Sequence, residues 1–98
     1  MIRIEIIANN TVEEDIQEAL NKIEPGFYYT RFNNVHGRGS SSPRMGDAVW
    51  PEENFVYVIY TDEEKAKLFM EAIRQIKMKF TQEGIKAYAI PFEGSVEL

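Results

Sequence analysis

Twice along the chain a run of strand-forming residues gives way to Thr-x-x-Glu and then to apolar residues at helical spacing. In the first instance Ile2, Ile4 and Ile6 alternate with Arg3 and Glu5, the period of two of a strand with one buried face. Thr11-x-x-Glu14 follows, and Val12, Ile16, Ala19, Leu20 and Ile23 form one apolar stripe. In the second, Phe55 to Tyr60 is apolar or aromatic throughout and Thr61-x-x-Glu64 comes next. Ala66, Phe69, Met70, Ile73, Ile76 and Phe80 then make the stripe. Each Thr-x-x-Glu reads as a capping box, the hydroxyl taking an otherwise unpaired helix N–H and the glutamate reaching back to the cap. Acidic residues at both helix starts, and Lys77 and Lys79 at the second helix end, complement the helix dipole.

Each half gains a further strand. Pro25-Gly26 stops the first helix, and Phe27 to Val35 has strand composition with four aromatics. Gly84 stops the second helix, and Ile85 to Ile90 is a last strand closed by Pro91. The order strand, helix, strand, strand, helix, strand predicts an α+β, ferredoxin-like βαββαβ sandwich. Two helices cover one face of a four-stranded antiparallel sheet, with the first and third strands central. At 98 residues the expectation is a single domain, 1–98.

The third strand carries Phe55, Tyr57 and Ile59 on one side and Val56, Val58 and Tyr60 on the other. The helices can bury only one of these faces, so the expectation for the other is a second copy of the chain.

Composition narrows the function classes. A formal charge of −5 argues against a nucleic-acid binder, and no apolar run approaches the roughly 20 residues of a membrane span. The start, Met-Ile-Arg-Ile-Glu, is not a signal peptide, because charges interrupt its apolar positions. The chain has no cysteine, which excludes disulfides, thiolate metal sites and cysteine nucleophiles and fits the cytoplasm. No nucleophile with a neighbouring base and no catalytic carboxylate pair stands out, so an enzyme is not expected. His36 is the sole histidine, and its spacing to Asp47, Glu52 and Glu53 matches no metal-ligand pattern; no metal is expected.

What remains is the aperiodic stretch 36–53, about eighteen residues between the second and third strands. Compact domains seldom keep a loop of that length without a use for it. It opens on Gly37-Arg38-Gly39, glycines that leave backbone N–H groups open to a ligand, or that simply turn the chain out of the strand. Arg38 and Arg44 flank Ser40, Ser41 and Ser42 and offer bidentate donors to a phosphate or carboxylate. Trp50 either anchors the loop or contacts a partner.

Val35-His36-Gly37-Arg38-Gly39, at the end of the second strand and ahead of a long loop, resembles the V-x-G-x-G of the PII signal-transduction proteins. The element order resembles theirs over most of the chain. That resemblance implies a homotrimer that binds an adenine nucleotide as small-molecule effector in clefts between subunits and signals to a target protein through the loop. The implied ligand-binding residues are Val35, His36, Gly37, Arg38, Gly39 and Arg44. The implied partner-binding residues are Ser40, Ser41, Ser42, Pro43, Met45, Asp47 and Trp50. Where PII proteins hold phosphates on a glycine- and lysine-rich loop, this chain has Phe80-Thr81-Gln82-Glu83-Gly84, which argues against triphosphate binding in the family manner. The alternative is a ligand-free oligomeric scaffold on the same fold.

Overall fold

The computed structural model describes residues 1–37 and 53–97. The elements run β1 (Ile2–Asn9), a 3-10 turn (Asn10–Val12), α1 (Glu13–Ile23), β2 (Thr30–Val35), β3 (Asn54–Thr61), α2 (Glu63–Lys79) and β4 (Ile85–Pro91). The sheet order is β2-β3-β1-β4, every pair antiparallel, so β1 and β3 are the central strands as expected. Ile2 faces Thr61 and Asn9 faces Asn54 across the β1–β3 ladder, with no slip between.

Because side chains alternate across a strand, this register sorts the sheet into two faces. Ile4, Ile6, Phe55, Tyr57 and Ile59 point toward the helices and are buried. Ile16 and Leu20 of α1 and Ala66, Phe69 and Ile73 of α2 close over them. The apolar stripes read from the sequence are therefore in phase with the sheet. On the outer face lie Ile7, Phe32, Val56, Val58, Tyr60, Tyr88 and Ile90, as the cross-strand pairs require.

Both expected capping boxes are displaced by one or two residues. Asn9, not Thr11, accepts the Thr11 N–H (2.9 Å) at the 3-10 turn, and α1 begins without a side-chain cap. Asp62, not Thr61, caps α2 by accepting the Lys65 N–H at 2.7 Å. Thr61 is unavailable because it is the last residue of β3, buried opposite Ile2. The Asp62 carboxylate, first residue past β3, and the Asn9 amide, on the last residue of β1, reach the exposed N–H groups instead.

The second strand also starts later than the sequence indicated, at Thr30 rather than Phe27. Phe27 is used as core, packed edge-on against Phe69 with ring centroids 5.9 Å apart, and Tyr29 packs on Tyr57 at 4.6 Å. Gly26, at φ +72°, makes the turn that carries the chain from helix to core.

Candidate functional site

At one end of the sheet, Val35 of β2 lies opposite Asn54 of β3, and Asn54 lies opposite Asn9 of β1. The Asn9 N–H in turn donates to Gly84 O at 3.0 Å, so the α2–β4 turn joins the same row. At a strand spacing of roughly 4.8 Å, Val35 and Gly84 are about 14 Å apart. The sequence thus brings two separate turns to one rim: the Val35-His36-Gly37 exit from β2 and the 80–84 turn. His36 and Gly37 are exposed, and a Cβ at Gly37 would meet nothing within 4 Å.

The start of β3 is fixed to this rim from the other side. Asn10 N–H donates to Glu53 O at 2.9 Å, and Asn10 Nδ2 approaches Glu53 Oε2 at 3.4 Å. Asn10 Oδ1 is buried and has no hydrogen-bond donor among the described residues.

The basic groups of the rim come from α2 and β4. Lys77 Nζ donates to Glu83 O at 2.6 Å and Thr81 O at 3.4 Å, closing the turn over the helix C-terminus. Lys79 stands over the Phe80 ring, 5.5 Å from its centroid. Lys86 lies on β4 opposite Ile7. The 80–84 turn has no cation of its own, as the sequence indicated, but three lysines adjoin it. Lys77 and Lys79 were read from the sequence only as helix-end charges.

A second polar cluster holds β2 to the helix layer. Arg31 binds Glu13 through both ends of the fork, Nε to Oε2 at 2.7 Å and Nη2 to Oε1 at 2.8 Å. The Tyr57 hydroxyl donates to Glu13 Oε2 and accepts from Gln17 Nε2 at 2.9 Å. Arg31 hydrogen bonding holds the Glu13 carboxyl below its ordinary value, against the opposing effect of burial. Burial first, and the Glu13 carboxylate second, push the Tyr57 phenol well above its own. The cluster is a brace for the strand that leads to the rim, with the Glu13 carboxylate shared between the Arg31 fork and the Tyr57 hydroxyl. Arg31 lies opposite Tyr57 on the helix-facing side of the sheet, where an arginine requires a carboxylate.

Of the expected ligand residues, Val35, His36 and Gly37 stand at the rim. Arg38, Gly39 and Arg44 lie outside the described residues, as do Ser40, Ser41, Ser42, Pro43, Met45, Asp47 and Trp50. Among the described residues no group of three or more His, Asp or Glu side chains could hold a metal ion. No described helix is long and apolar enough to cross a membrane.

Three solved structures share this arrangement. CPII, a nitrogen regulatory PII-like protein from Thiomonas intermedia, bound to ADP, AMP and bicarbonate, is 15% identical with a TM-score of 0.73, over 99% of this chain and 94% of that one. The fold is PII-like. The apo form of the same CPII gives a TM-score of 0.61 at 15% identity, covering 91% and 87% of the two chains. A putative PII-like signaling protein from Thermus thermophilus gives 0.62 at 23% identity, covering 90% and 82%. No protein-family model and no curated protein matches the sequence. The likeness is one of architecture, and it extends over nearly the whole chain.

Proposed function

We propose that this protein is a PII-like regulatory module that senses a small ligand, an adenine nucleotide, and passes its state to a partner protein. The observation that supports this most is the likeness over 99% of the chain to CPII bound to ADP, AMP and bicarbonate. It is joined by Val35-His36-Gly37 and the 80–84 turn meeting at one rim. In this reading Val35, His36, Gly37, Arg38, Gly39 and Arg44 contact the ligand, and Ser40, Ser41, Ser42, Pro43, Met45, Asp47 and Trp50 face the partner. With Lys77 committed to two carbonyls, the rim suits a mono- or diphosphate better than a triphosphate. The protein acts by binding in the cytoplasm and is not an enzyme.

The same reading includes a homotrimer formed through the outer sheet face. In the single chain Phe32 and Tyr60 are each 51% exposed, Tyr88 48% and Ile90 40%, large side chains on one continuous face. Contiguous apolar surface of that kind marks an association site. Arg3 lies among them, paired to Glu5 at 2.9 Å and donating to the Tyr60 hydroxyl at 3.1 Å.

Calorimetric titration with ADP, AMP, ATP and bicarbonate, alongside light scattering, tests the proposal. Saturable binding of ADP or AMP to a trimer is expected. A trimer silent to all four ligands would favour the alternative, a ligand-free scaffold, for which the open outer face is the supporting observation. A monomer would leave the apolar face without its proposed cover and would count against both.

A further inference from the structure

The last turn of β2 departs from a regular ladder. Phe32 lies opposite Val56, but Val35 lies opposite Asn54, so three residues of β2 advance against two of β3. One residue is absorbed in a bulge, and Asn34 there has φ +50°, the one described non-glycine residue in the left-handed region. Asparagine tolerates that region better than other side chains, and a β-branched residue resists it. A bulge with a left-handed residue re-aims the side chains that follow it.

The consequence can be worked out from the alternation. In an unbroken ladder Phe32 and Asn34 would share the outer face, followed by His36, and Val35 would point toward the helices. With the bulge, Val35 takes the position opposite Asn54, on the same outer row as Val56 and Val58. Continuing the same alternation one residue past β2 puts His36 on the helix side of the sheet, the side on which α1 begins.

From this geometry we propose that Asn34 is a positioning residue. Its left-handed backbone takes up one residue, sets Val35 against Asn54, and turns His36 at the strand exit to the helix side of the rim. The inference deepens the nucleotide reading of that rim and rests on it for its functional consequence. It stands by itself as a statement about register.

Two variants separate the cases. Asn34→Gly keeps the left-handed conformation without strain, and Asn34→Val opposes it. NMR cross-strand contacts read the register, and ADP calorimetry reads its effect. Wild type and Asn34→Gly are expected to show the Val35–Asn54 contact and to bind ADP within about twofold of each other. Asn34→Val is expected to lose that contact and to bind ADP about tenfold more weakly or worse, with the Leu20 and Ile16 methyl signals unmoved. Should Asn34→Val not fold, Asn34→Ala gives the same comparison in milder form. Retention of the Val35–Asn54 contact in the Val or Ala variant overturns the proposal. So does loss of the contact with unchanged ADP affinity. If wild type binds no ADP, the nucleotide reading fails, and the register claim is decided by the contact alone.

Discussion

Replacing Arg31 by methionine removes the guanidinium while keeping much of the aliphatic stem. In the folded protein Glu13 then loses two charge-assisted bonds of 2.7 and 2.8 Å and keeps only the Tyr57 hydroxyl. An exposed pair would be worth about 0.2–1 kcal/mol, and breaking a fully buried one would cost about 3–5 kcal/mol. Both side chains retain 26% of their exposure, so solvent screens the pair in part. The loss of Arg31 packing over Phe55, 5.4 Å from the ring centroid, adds to the effect. The expected destabilisation at neutral pH is about 2 kcal/mol.

The pH dependence follows from Glu13, whose carboxyl is lowered chiefly by the Arg31 hydrogen bonds. A carboxyl depressed on folding contributes stability that is present above its unfolded value, about 4.3. That contribution is lost as pH falls through the lower folded value. The gap between wild type and Arg31→Met therefore narrows in acid. Urea unfolding at fixed protein concentration, at pH 7 and then in steps below pH 4, measures it. A gap under about 0.5 kcal/mol at pH 7, the level of an ordinary surface pair, would refute the brace. A gap that stays constant into acid would refute the assignment to Glu13.

Phe69→Ala empties a position that is 0% exposed and in contact with the Phe27 ring, so a loss of about 3–5 kcal/mol is expected by chemical denaturation. A loss below about 1 kcal/mol would mean that α2 is out of phase with the sheet. Asp62→Ala removes the acceptor for the Lys65 N–H and should cost about 1 kcal/mol, whereas Thr61→Ser should leave α2 capped. Thermal unfolding of the two variants compares them directly, and the reverse order would restore Thr61 as the cap.

The layers and the sheet order were legible because they rest on periodicity, which the sequence carries locally. Ile4, Ile6, Phe55, Tyr57 and Ile59 alternate, and Leu20, Phe69 and Ile73 recur at helical spacing, so the facing surfaces could be paired from the residues alone. What was missed depends on choices between neighbours that compete for one role. Thr61 and Asp62 both cap helices well, and only the pairing of Thr61 with Ile2 removes it from contention. Phe27 has strand composition, yet the turn at Gly26 sends it into the core. The bulge at Asn34 is similar, for Asn33-Asn34 is compatible with a regular strand end, and only the pairing of Val35 with Asn54 reveals the extra residue. The place of Val35, His36 and Gly37 at the exit from β2 was legible, because the glycine follows directly on the strand. The meeting of that exit with the Gly84 turn was not, since it is set by the hydrogen bond from Asn9 across β1.

The central claim is that the rim built from Val35, His36, Gly37 and the 80–84 turn takes an adenine nucleotide. Isothermal titration of the purified protein with ADP tests it most directly, with His36→Ala as the comparison. A saturable isotherm with one site per chain is expected, weakened in the variant while its melting temperature is unchanged. The absence of any saturable heat with ADP or AMP, or equal binding by wild type and His36→Ala with one site per chain, would contradict it.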